Sequence, residues 1–237
     1  MGKNILIVGA SGDIGIAIAR QLLQAGHQLL LHYHTNNQVI NELCKEHGEA
    51  ILAIYQADLS NEQDCKRFLK MLEISIDGIV FASGKAYYGL FQETSETTMN
   101  EMIQLYVKSP WLITKQLLPK MISKQAGTIL FITSIWGEQG ASNEVVYSAV
   151  KGAQNSFVKA LAKEVAPSGI SVNAISPGFI DTKMNGHLCE KEREAIFKEI
   201  PQNRAGTPDD IAHTARFLFS DESSYIQGAI IDITGGW

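Results

Sequence analysis

A tyrosine and a lysine lie four residues apart in the stretch "VVYSAVKG", residues 145–152. If this stretch begins a helix, Tyr147 and Lys151 share one face, with their Cβ atoms about 6 Å apart. An ammonium next to a phenol favours the phenolate and lowers the phenol pKa from its usual value of about 10. The pair could therefore exchange a proton near neutral pH. The alternative is a half-buried aromatic beside a solvated cation.

The composition restricts the kinds of protein that could contain this pair. The chain has 237 residues, 45% of them hydrophobic and 19% charged, which is typical of a soluble globular protein. The formal net charge of −5, without a basic block, argues against nucleic acid as a partner. No apolar run approaches the ~20 residues that cross a membrane, so we expect no membrane association. Three widely spaced cysteines, Cys44, Cys65 and Cys189, show no metal-ligand pattern and predict free thiols, no metal and a cytoplasmic location.

Short apolar runs alternate with helix-like segments along the chain. Each run except the last precedes a segment with apolar residues at i, i+3 and i+4. Continuous apolar strands are typical of sheets that helices cover on both faces. The sequence therefore predicts a single α/β domain over residues 1–237, a Rossmann-like, doubly wound parallel sheet of about seven strands with helices on both faces. The runs are "NILIV" (4–8), "QLLLHY" (28–33), "AILAIY" (50–55), "DGIVFA" (77–82), "GTILFIT" (127–133), "GISVNAI" (169–175) and "AIIDI" (229–233).

The first of these runs leads directly into a glycine turn, "VGASGDIGIAIA". Gly9 permits a tight turn, and Gly15 permits a helix to pack close to the strand, which leaves the amides at the helix start for a pyrophosphate. A plain strand–helix turn is the alternative. The position between a terminal apolar strand and an amphipathic helix favours nucleotide binding.

The end of the second predicted strand, "LLLHYHTNN", indicates which dinucleotide would fit. An acidic side chain at this point bonds the ribose hydroxyl of NAD and repels the additional phosphate of NADP. The stretch contains no Asp or Glu, and His32 and His34 are neutral or cationic donors. We therefore expect NADP(H) to be preferred over NAD(H).

Several motifs together carry a family resemblance over nearly the whole chain: "GASGDIG", "ADLS", "ITSI", "YSAVK", "ISVNAISPGFIDTKM" and "IQGAIIDITGGW". The sequence resembles the short-chain dehydrogenase/reductase family, and most of all its 3-oxoacyl-(acyl carrier protein) reductases. The resemblance implies an NADP-dependent oxidoreductase that reduces a ketone to an alcohol. It implies Ser134, Tyr147 and Lys151 as the catalytic set, with Tyr147 as the general acid and Ser134 holding the carbonyl oxygen.

The resemblance also implies which residues bind the cofactor. They are Gly9, Ser11, Asp13, Ile14, Gly15, His32, His34, Asp58, Leu59, Ser83, Gly84, Tyr147, Lys151, Pro177, Gly178, Ile180 and Thr182. Three departures from the family pattern stand out. Val8 and Asp13 replace a threonine and a glycine of the turn, and "FASG" (81–84) replaces N-N-A-G. The third departure is Tyr106, at the position where the family carries an asparagine of the proton relay. We include Tyr106 in the catalytic set, because a backbone carbonyl and a bound water could preserve the relay.

The substrate is less defined by the sequence. Residues 181–206 lie where the family keeps its substrate lid, and an amphipathic surface helix is the alternative. The resemblance favours a 3-oxoacyl-(acyl carrier protein) or similar thioester, and with it fatty acid biosynthesis. Basic residues that would receive an acidic carrier are sparse. The alternative substrate is a 5-aminopentanone group on a lysine of elongation factor P.

A binding module that senses NADP without turnover is the alternative from a different functional class. Tyr106 and the altered glycine turn motivate it, whereas the intact serine, tyrosine and lysine favour the enzyme. The resemblance further implies a homotetramer, with contacts through the helices around 99–122 and 147–166. The expected partner is thus a small-molecule or carrier-bound ketone.

Overall fold

Seven parallel strands form one sheet, in the order β3-β2-β1-β4-β5-β6-β7. The structure is a computed structural model that describes residues 2–186 and 188–237. This topology confirms the predicted doubly wound sheet. The strands are β1 (Asn4–Val8), β2 (Gln28–Tyr33), β3 (Ile51–Gln56), β4 (Gly78–Phe81), β5 (Gly127–Ile132), β6 (Ile170–Pro177) and β7 (Ile230–Ile233).

Helices connect these strands and cover both faces of the sheet. Within the described ranges they are α1 (Asp13–Gln24), α2 (Gln38–His47), α3 (Glu62–Met71), α4 (Glu96–Ile103), α5 (Ser109–Lys124), α6 (Trp136–Gln139), α7 (Val145–Val165), α8 (Glu190–Glu199) and α9 (Pro208–Leu218). A π-helical turn, Gln104–Lys108, joins α4 to α5. Short 3-10 turns occupy Gly48–Ala50, Phe91–Glu93, Ala166–Ser168, Lys183–Asn185 and Asp221–Ser223.

The strands bury side chains on both faces because successive residues point in opposite directions. In β1, Ile5 and Ile7 pack with α1, α2 and α9, whereas Leu6 and Val8 pack with α3, α5 and α7. The two apolar layers explain why the strands read as continuous apolar runs.

The sheet reverses its strand order between β1 and β4, which pair in register from Ile5 with Gly78 to Val8 with Phe81. In such sheets the carboxyl ends of the strands at the reversal border a ligand crevice. The glycine turn after β1 and the segment after β4 therefore meet at the place where a nucleotide is expected. Across residues 2–186 and 188–237, no helix has the length and apolarity needed to cross a membrane.

Candidate active site

The turn after β1 is packed so closely that side chains cannot fit. Gly9 has a φ of 87°, in the left-handed region that favours glycine. A Cβ on Gly9 would lie 2.4 Å from the Ser83 backbone, and one on Gly15 would lie 2.2 Å from the Gly9 carbonyl oxygen. The N-cap of α1 is Gly12, which has no side chain to accept from the first helical amides. These amides are thus available to an anion such as a pyrophosphate.

Asp13, the first residue of α1, has an unexpected partner. Its Oδ2 accepts a hydrogen bond of 2.7 Å from the backbone N–H of Lys183, in the segment that follows β6. Both residues line the same cleft. Asp13 therefore connects the start of the predicted lid to the glycine turn.

His32, predicted to contact the cofactor as a neutral or cationic donor, is buried and holds the fold together. Its Nδ1 accepts from the Gly9 N–H at 3.1 Å, and its Nε2 lies 3.1 Å from the Ala57 carbonyl oxygen. Burial lowers the pKa of His32 to about 4, so the ring is neutral at pH 7. His32 lines the cleft, but its ring is bonded to the backbone after β1 and β3 and offers no positive charge to a phosphate.

The exposed side chains at the end of β2 are therefore the ones that would be available to a ribose phosphate. His34 is exposed and its Nε2 lies 3.9 Å from Asp58 Oδ2. Asp58 Oδ1 accepts from the amide and hydroxyl of Ser60. Burial opposes ionisation of Asp58, but the Ser60 hydrogen bonds and the nearby His34 outweigh it and lower the pKa of the carboxyl. His34, Asp58 and Thr35 all line the cleft.

Ser134, Tyr147 and Lys151 come together at the other end of the cleft. Ser134 lies two residues beyond β5, and its hydroxyl is hydrogen-bonded to that of Tyr147. Lys151 is buried on α7, and its Nζ donates a 2.8 Å hydrogen bond to the Ile132 carbonyl oxygen. This Nζ lies 5.5 Å from the centroid of the Tyr147 ring. The spacing of four residues thus places phenol and amine on one helix face, as predicted.

Two glycines bring α6 and α7 together behind this group. A Cβ on Gly137 would lie 2.9 Å from the Lys151 carbonyl carbon, and one on Gly152 would lie 3.1 Å from the Gly137 carbonyl oxygen. Their backbones therefore touch. This close contact fixes the position of Lys151 relative to the end of β5.

The protonation of the pair differs from the sequence prediction. Burial raises the pKa of Tyr147 above its usual value; the negative charge of Glu144 raises it further, and the hydrogen bond with Ser134 acts in the opposite direction. Burial also lowers the pKa of Lys151 to about 7. The predicted lowering of the phenol pKa by the lysine is wrong for the protein alone, because burial penalises the charged forms of both groups. Tyr147 is consequently protonated at neutral pH, as a proton donor must be.

One cleft of about 800 Å³ contains nearly every predicted site residue. The exceptions are Gly15, which packs behind the turn, and Tyr106, which lies below Lys151. The cleft has further lining residues that the sequence did not single out, including Lys85, Glu101 and Asn185. These three follow the carboxyl ends of β4 and β6, a position that could have indicated them.

Comparison with known proteins supports the family resemblance that the sequence motifs carry. A family model described as enoyl-(acyl carrier protein) reductase matches residues 9–237. The chain is 46% identical over 240 residues to YmfI, an uncharacterized oxidoreductase of Bacillus subtilis (strain 168), covering 100% of this chain and 99% of that protein. It is 34% identical over 235 residues to the 3-oxoacyl-[acyl-carrier-protein] reductase of Rickettsia bellii, covering 99% and 96%. The chain belongs to the short-chain dehydrogenase/reductase family.

A solved structure of this family shows the same fold. A putative NAD(P)-dependent gluconate 5-dehydrogenase from Beutenbergia cavernae, crystallised with NADP at low occupancy, superposes with a TM-score of 0.92 at 28% identity, covering 100% of this chain and 96% of that one. The protein is accordingly an oxidoreductase of the short-chain family. The predicted family and fold are both confirmed.

Tyr106 does not line the cleft. Its ring is buried, and its hydroxyl bonds both the N–H and the carbonyl oxygen of Lys85, each at 2.7 Å. Its own backbone carbonyl accepts a 2.8 Å hydrogen bond from Gln154 Nε2. The prediction that Tyr106 is catalytic therefore lacks the contact with the cleft that a catalytic side chain needs.

The segment predicted as a lid is ordered along one side of the cleft. Met184 lines the cleft together with Thr182, Lys183 and Asn185. Asn185 Nδ2 donates to the Ile180 carbonyl oxygen at 2.8 Å, and α8 follows. Residue 187, inside the predicted lid of 181–206, lies outside the described residues.

Two linked segments, residues 86–107 and 135–150, reach the cleft through Ala86, Glu101, Leu105 and Tyr147. Gly89 N–H donates to the Asn143 carbonyl oxygen at 2.8 Å, and Asn143 Nδ2 donates to the Tyr88 hydroxyl at 3.1 Å. Neither segment contains Lys, Arg or His. Their acidic residues are Glu93, Glu96, Glu101, Glu138 and Glu144. We call this the acidic rim.

The residues present fit a nicotinamide dinucleotide. The packed glycine turn would hold its pyrophosphate, and Tyr147 with Lys151 would lie at the nicotinamide end. Bound there, the dinucleotide would supply the hydride. No cluster of His, Cys, Asp and Glu within residues 2–186 and 188–237 could hold a metal ion.

Proposed function

We propose that this protein is an NADPH-dependent reductase that converts a ketone into an alcohol. The observation that carries the proposal is one cleft in which Ser134 and Tyr147 lie beside Lys151, in continuity with the glycine turn. Ser134 donates a hydrogen bond to the carbonyl oxygen, and the Tyr147 hydroxyl transfers its proton to that oxygen as negative charge develops. Lys151 holds positive charge beside the phenol and stabilises the phenolate that remains.

The preference for NADP(H) over NAD(H) rests on charge at the end of β2. Residues 32–37 contain no carboxylate that would repel a ribose phosphate. His34 and Thr35 line the cleft there and can donate hydrogen bonds. The Beutenbergia cavernae dehydrogenase with bound NADP has the same fold.

Two ketones are candidates for the substrate. The relatives named 3-oxoacyl-[acyl-carrier-protein] reductase support a 3-oxoacyl thioester, and thereby a role in fatty acid biosynthesis. The acidic rim supports the other candidate, a 5-aminopentanone group on a lysine of elongation factor P. An ammonium group close to the ketone would be attracted by Glu144, whose charge acts on Tyr147. An acidic carrier protein would be repelled by the same surface, so the geometry favours the amine-bearing ketone.

Among the other basic residues that could receive an acidic carrier, Lys183 lines the cleft, whereas Lys124 does not and Lys85 is paired. Lys124, the single basic residue of the segment "MISKQAG", pairs with Asp77 at 2.5 Å. Lys85, at the cleft wall, pairs with Glu101.

A turnover screen with NADPH tests the proposal. We expect a protein carrying the aminopentanone group to have a higher kcat/KM than a 3-oxoacyl thioester or a small neutral ketone. Because the charge of Glu144 also acts on Tyr147, Glu144→Gln changes proton transfer to both ketones alike; the ratio of kcat/KM for the amine-bearing ketone to that for the neutral ketone should fall about fivefold. Glu222→Gln, at a surface turn, is the matched control.

Three outcomes of this screen distinguish the alternatives. Faster turnover of the thioester would select the carrier-bound substrate. An equal effect of Glu144→Gln on all ketones would remove the charge argument. Tight NADPH binding without turnover of any ketone would select the NADP-sensing module.

The assembly and location also belong to this proposal. Homotetramer formation through the helices around 99–122 and 147–166 is supported by exposed apolar side chains there, including Ile103, Trp111 and Ile122. A cytoplasmic location is supported by the free thiols of Cys44, Cys65 and Cys189. Measurement of the molecular mass in solution tests whether the protein forms a homotetramer.

A further inference from the structure

Tyr106 is the largest fully buried side chain of the described residues, and three separate parts of it contact the catalytic region. Its hydroxyl reaches the backbone after β4, its ring lies under Lys151, and its carbonyl is bonded by α7. Tyr106 itself does not line the open cleft, whereas Lys85 and Lys151, which it contacts, do. Together these contacts indicate a role in holding the site rather than in transferring protons.

The hydroxyl of Tyr106 acts on the cleft wall. It accepts from the Lys85 N–H and donates to the Lys85 carbonyl oxygen. A Cβ on the neighbouring Gly84 would lie 2.8 Å from this hydroxyl, so the wall approaches it as closely as glycine allows. Gly84, Lys85 and Ala86 all line the cleft. The double hydrogen bond therefore fixes a segment on the predicted dinucleotide site.

The ring of Tyr106 acts on the charge of Lys151. The Lys151 Nζ lies 4.6 Å from the ring centroid, within the distance at which a cation is attracted to an aromatic face. The ring also meets Tyr147 edge-on, with centroids 5.7 Å apart. Burial raises the free energy of the charged form of Lys151. The attraction of the ammonium to the Tyr106 ring offsets part of this increase.

The backbone of Tyr106 lies in the π-helical turn Gln104–Lys108, where the usual helical hydrogen bonds shift. The Tyr106 carbonyl accepts instead from Gln154 Nε2, one turn beyond Lys151 on α7. A side-chain amide thus bonds the carbonyl that the relay hypothesis assigned to a water. Gln154 is itself buried.

We propose that Tyr106 is a positioning residue with two separable effects: its hydroxyl holds the Gly84–Lys85–Ala86 wall against the dinucleotide, and its ring stabilises the charged form of Lys151. The hydrogen bond from Gln154 holds the π-helical turn Gln104–Lys108, and this turn positions both the hydroxyl and the ring of Tyr106. The inference rests on the proposed function for its kinetic readout, and its binding readout is independent of turnover.

Two substitutions at Tyr106 separate these effects. Tyr106→Phe removes the hydroxyl and keeps the ring, so the Kd for NADPH should rise about fivefold while the pH profile of kcat stays unchanged. Tyr106→Leu removes both, so the Kd should rise similarly and the alkaline limb of the pH profile should move to lower pH by about half a unit to one unit. Tyr225→Phe, with a fully exposed ring, is the control.

A double substitution tests the hydroxyl even if Tyr106→Leu fails to fold. Gly84→Ala should weaken NADPH binding because its Cβ meets the Tyr106 hydroxyl. In the Tyr106→Phe background the added Cβ meets no hydroxyl, so the same substitution should weaken binding less. Fluorescence titration with NADPH measures all four Kd values without requiring turnover.

Specific results would overturn the inference. An unchanged Kd in Tyr106→Phe, or additive effects in the double variant, would remove the hydroxyl's positioning role. A large loss of kcat in Tyr106→Phe at unchanged Kd would place the hydroxyl in the relay. An unshifted pH profile in folded Tyr106→Leu would remove the effect on Lys151. Absence of any ketone reduction by the wild type would count against the proposed function and leave the binding results valid.

Discussion

The two halves of the cleft use different parts of the polypeptide. The nucleotide half consists mainly of backbone: the turn at Gly9, the amides at the start of α1 and the chain at Ser83. The catalytic half consists of side chains, and burial controls the protonation of Tyr147 and Lys151. A side-chain exchange in the nucleotide half, such as Asp13 in place of the family's glycine, thus leaves these backbone contacts possible. In the second half, each exchange should change the chemistry itself.

The largest expected effect is in the catalytic half. Tyr147→Phe removes the phenolic proton and should lower the rate of ketone reduction roughly 10³-fold or more. The Kd for NADPH should change less than about twofold, because the ring and its packing remain. Steady-state kinetics and NADPH fluorescence measure the two quantities, with Tyr225→Phe as the exposed control. Retention of most activity would show that another group donates the proton.

The second prediction concerns stability. The pKa of Lys151 is about 7 in the folded protein, whereas an unfolded lysine titrates at about 10.4. Between these values the unfolded state binds more protons, so this group makes the wild type more stable as pH rises. Lys151→Met removes the buried charge and should raise the Tm by several degrees below about pH 7, with a much smaller gain above about pH 10.

Thermal unfolding at both pH values measures this effect. Lys159→Met, an exposed position on the same helix, should leave the Tm nearly unchanged at both. A pH-independent gain would mean that the methionine stabilises by packing alone. In that case burial would not control the charge of Lys151.

The same division explains what the sequence could predict. The seven strands of the parallel sheet, the glycine turn and the Tyr147–Lys151 pair follow from periodicity and short-range spacing, and the structure contains each of them. The neutral state of His32 and the raised pKa of Tyr147 depend on burial by distant segments, which no local pattern encodes. The Tyr106 contacts likewise join residues 21 and 48 positions apart.

The third prediction tests the nucleotide half through its exposed side chains. His34→Asp places a carboxylate at the end of β2, where it would repel the ribose phosphate. The Kd for NADPH should rise about tenfold, and the Kd for NADH should change by about twofold at most. Wild-type protein should show a larger thermal shift with NADPH than with NADH. Equal changes for the two dinucleotides would mean that β2 does not select between them.

The smallest effect is expected at Asp13, where the two halves meet through the lid segment. Asp13→Asn keeps an oxygen for the Lys183 N–H and removes the charge near the pyrophosphate. The Kd for NADPH should fall about threefold, and less at high salt because ions screen the repulsion. Asp13→Ala should give the same gain in NADPH affinity. It should also raise the KM for the ketone, because the segment that carries Met184 loses its hydrogen bond to residue 13. If both variants behaved alike in KM, the 2.7 Å hydrogen bond would not hold the lid segment, and the glycine turn would act on the cofactor alone.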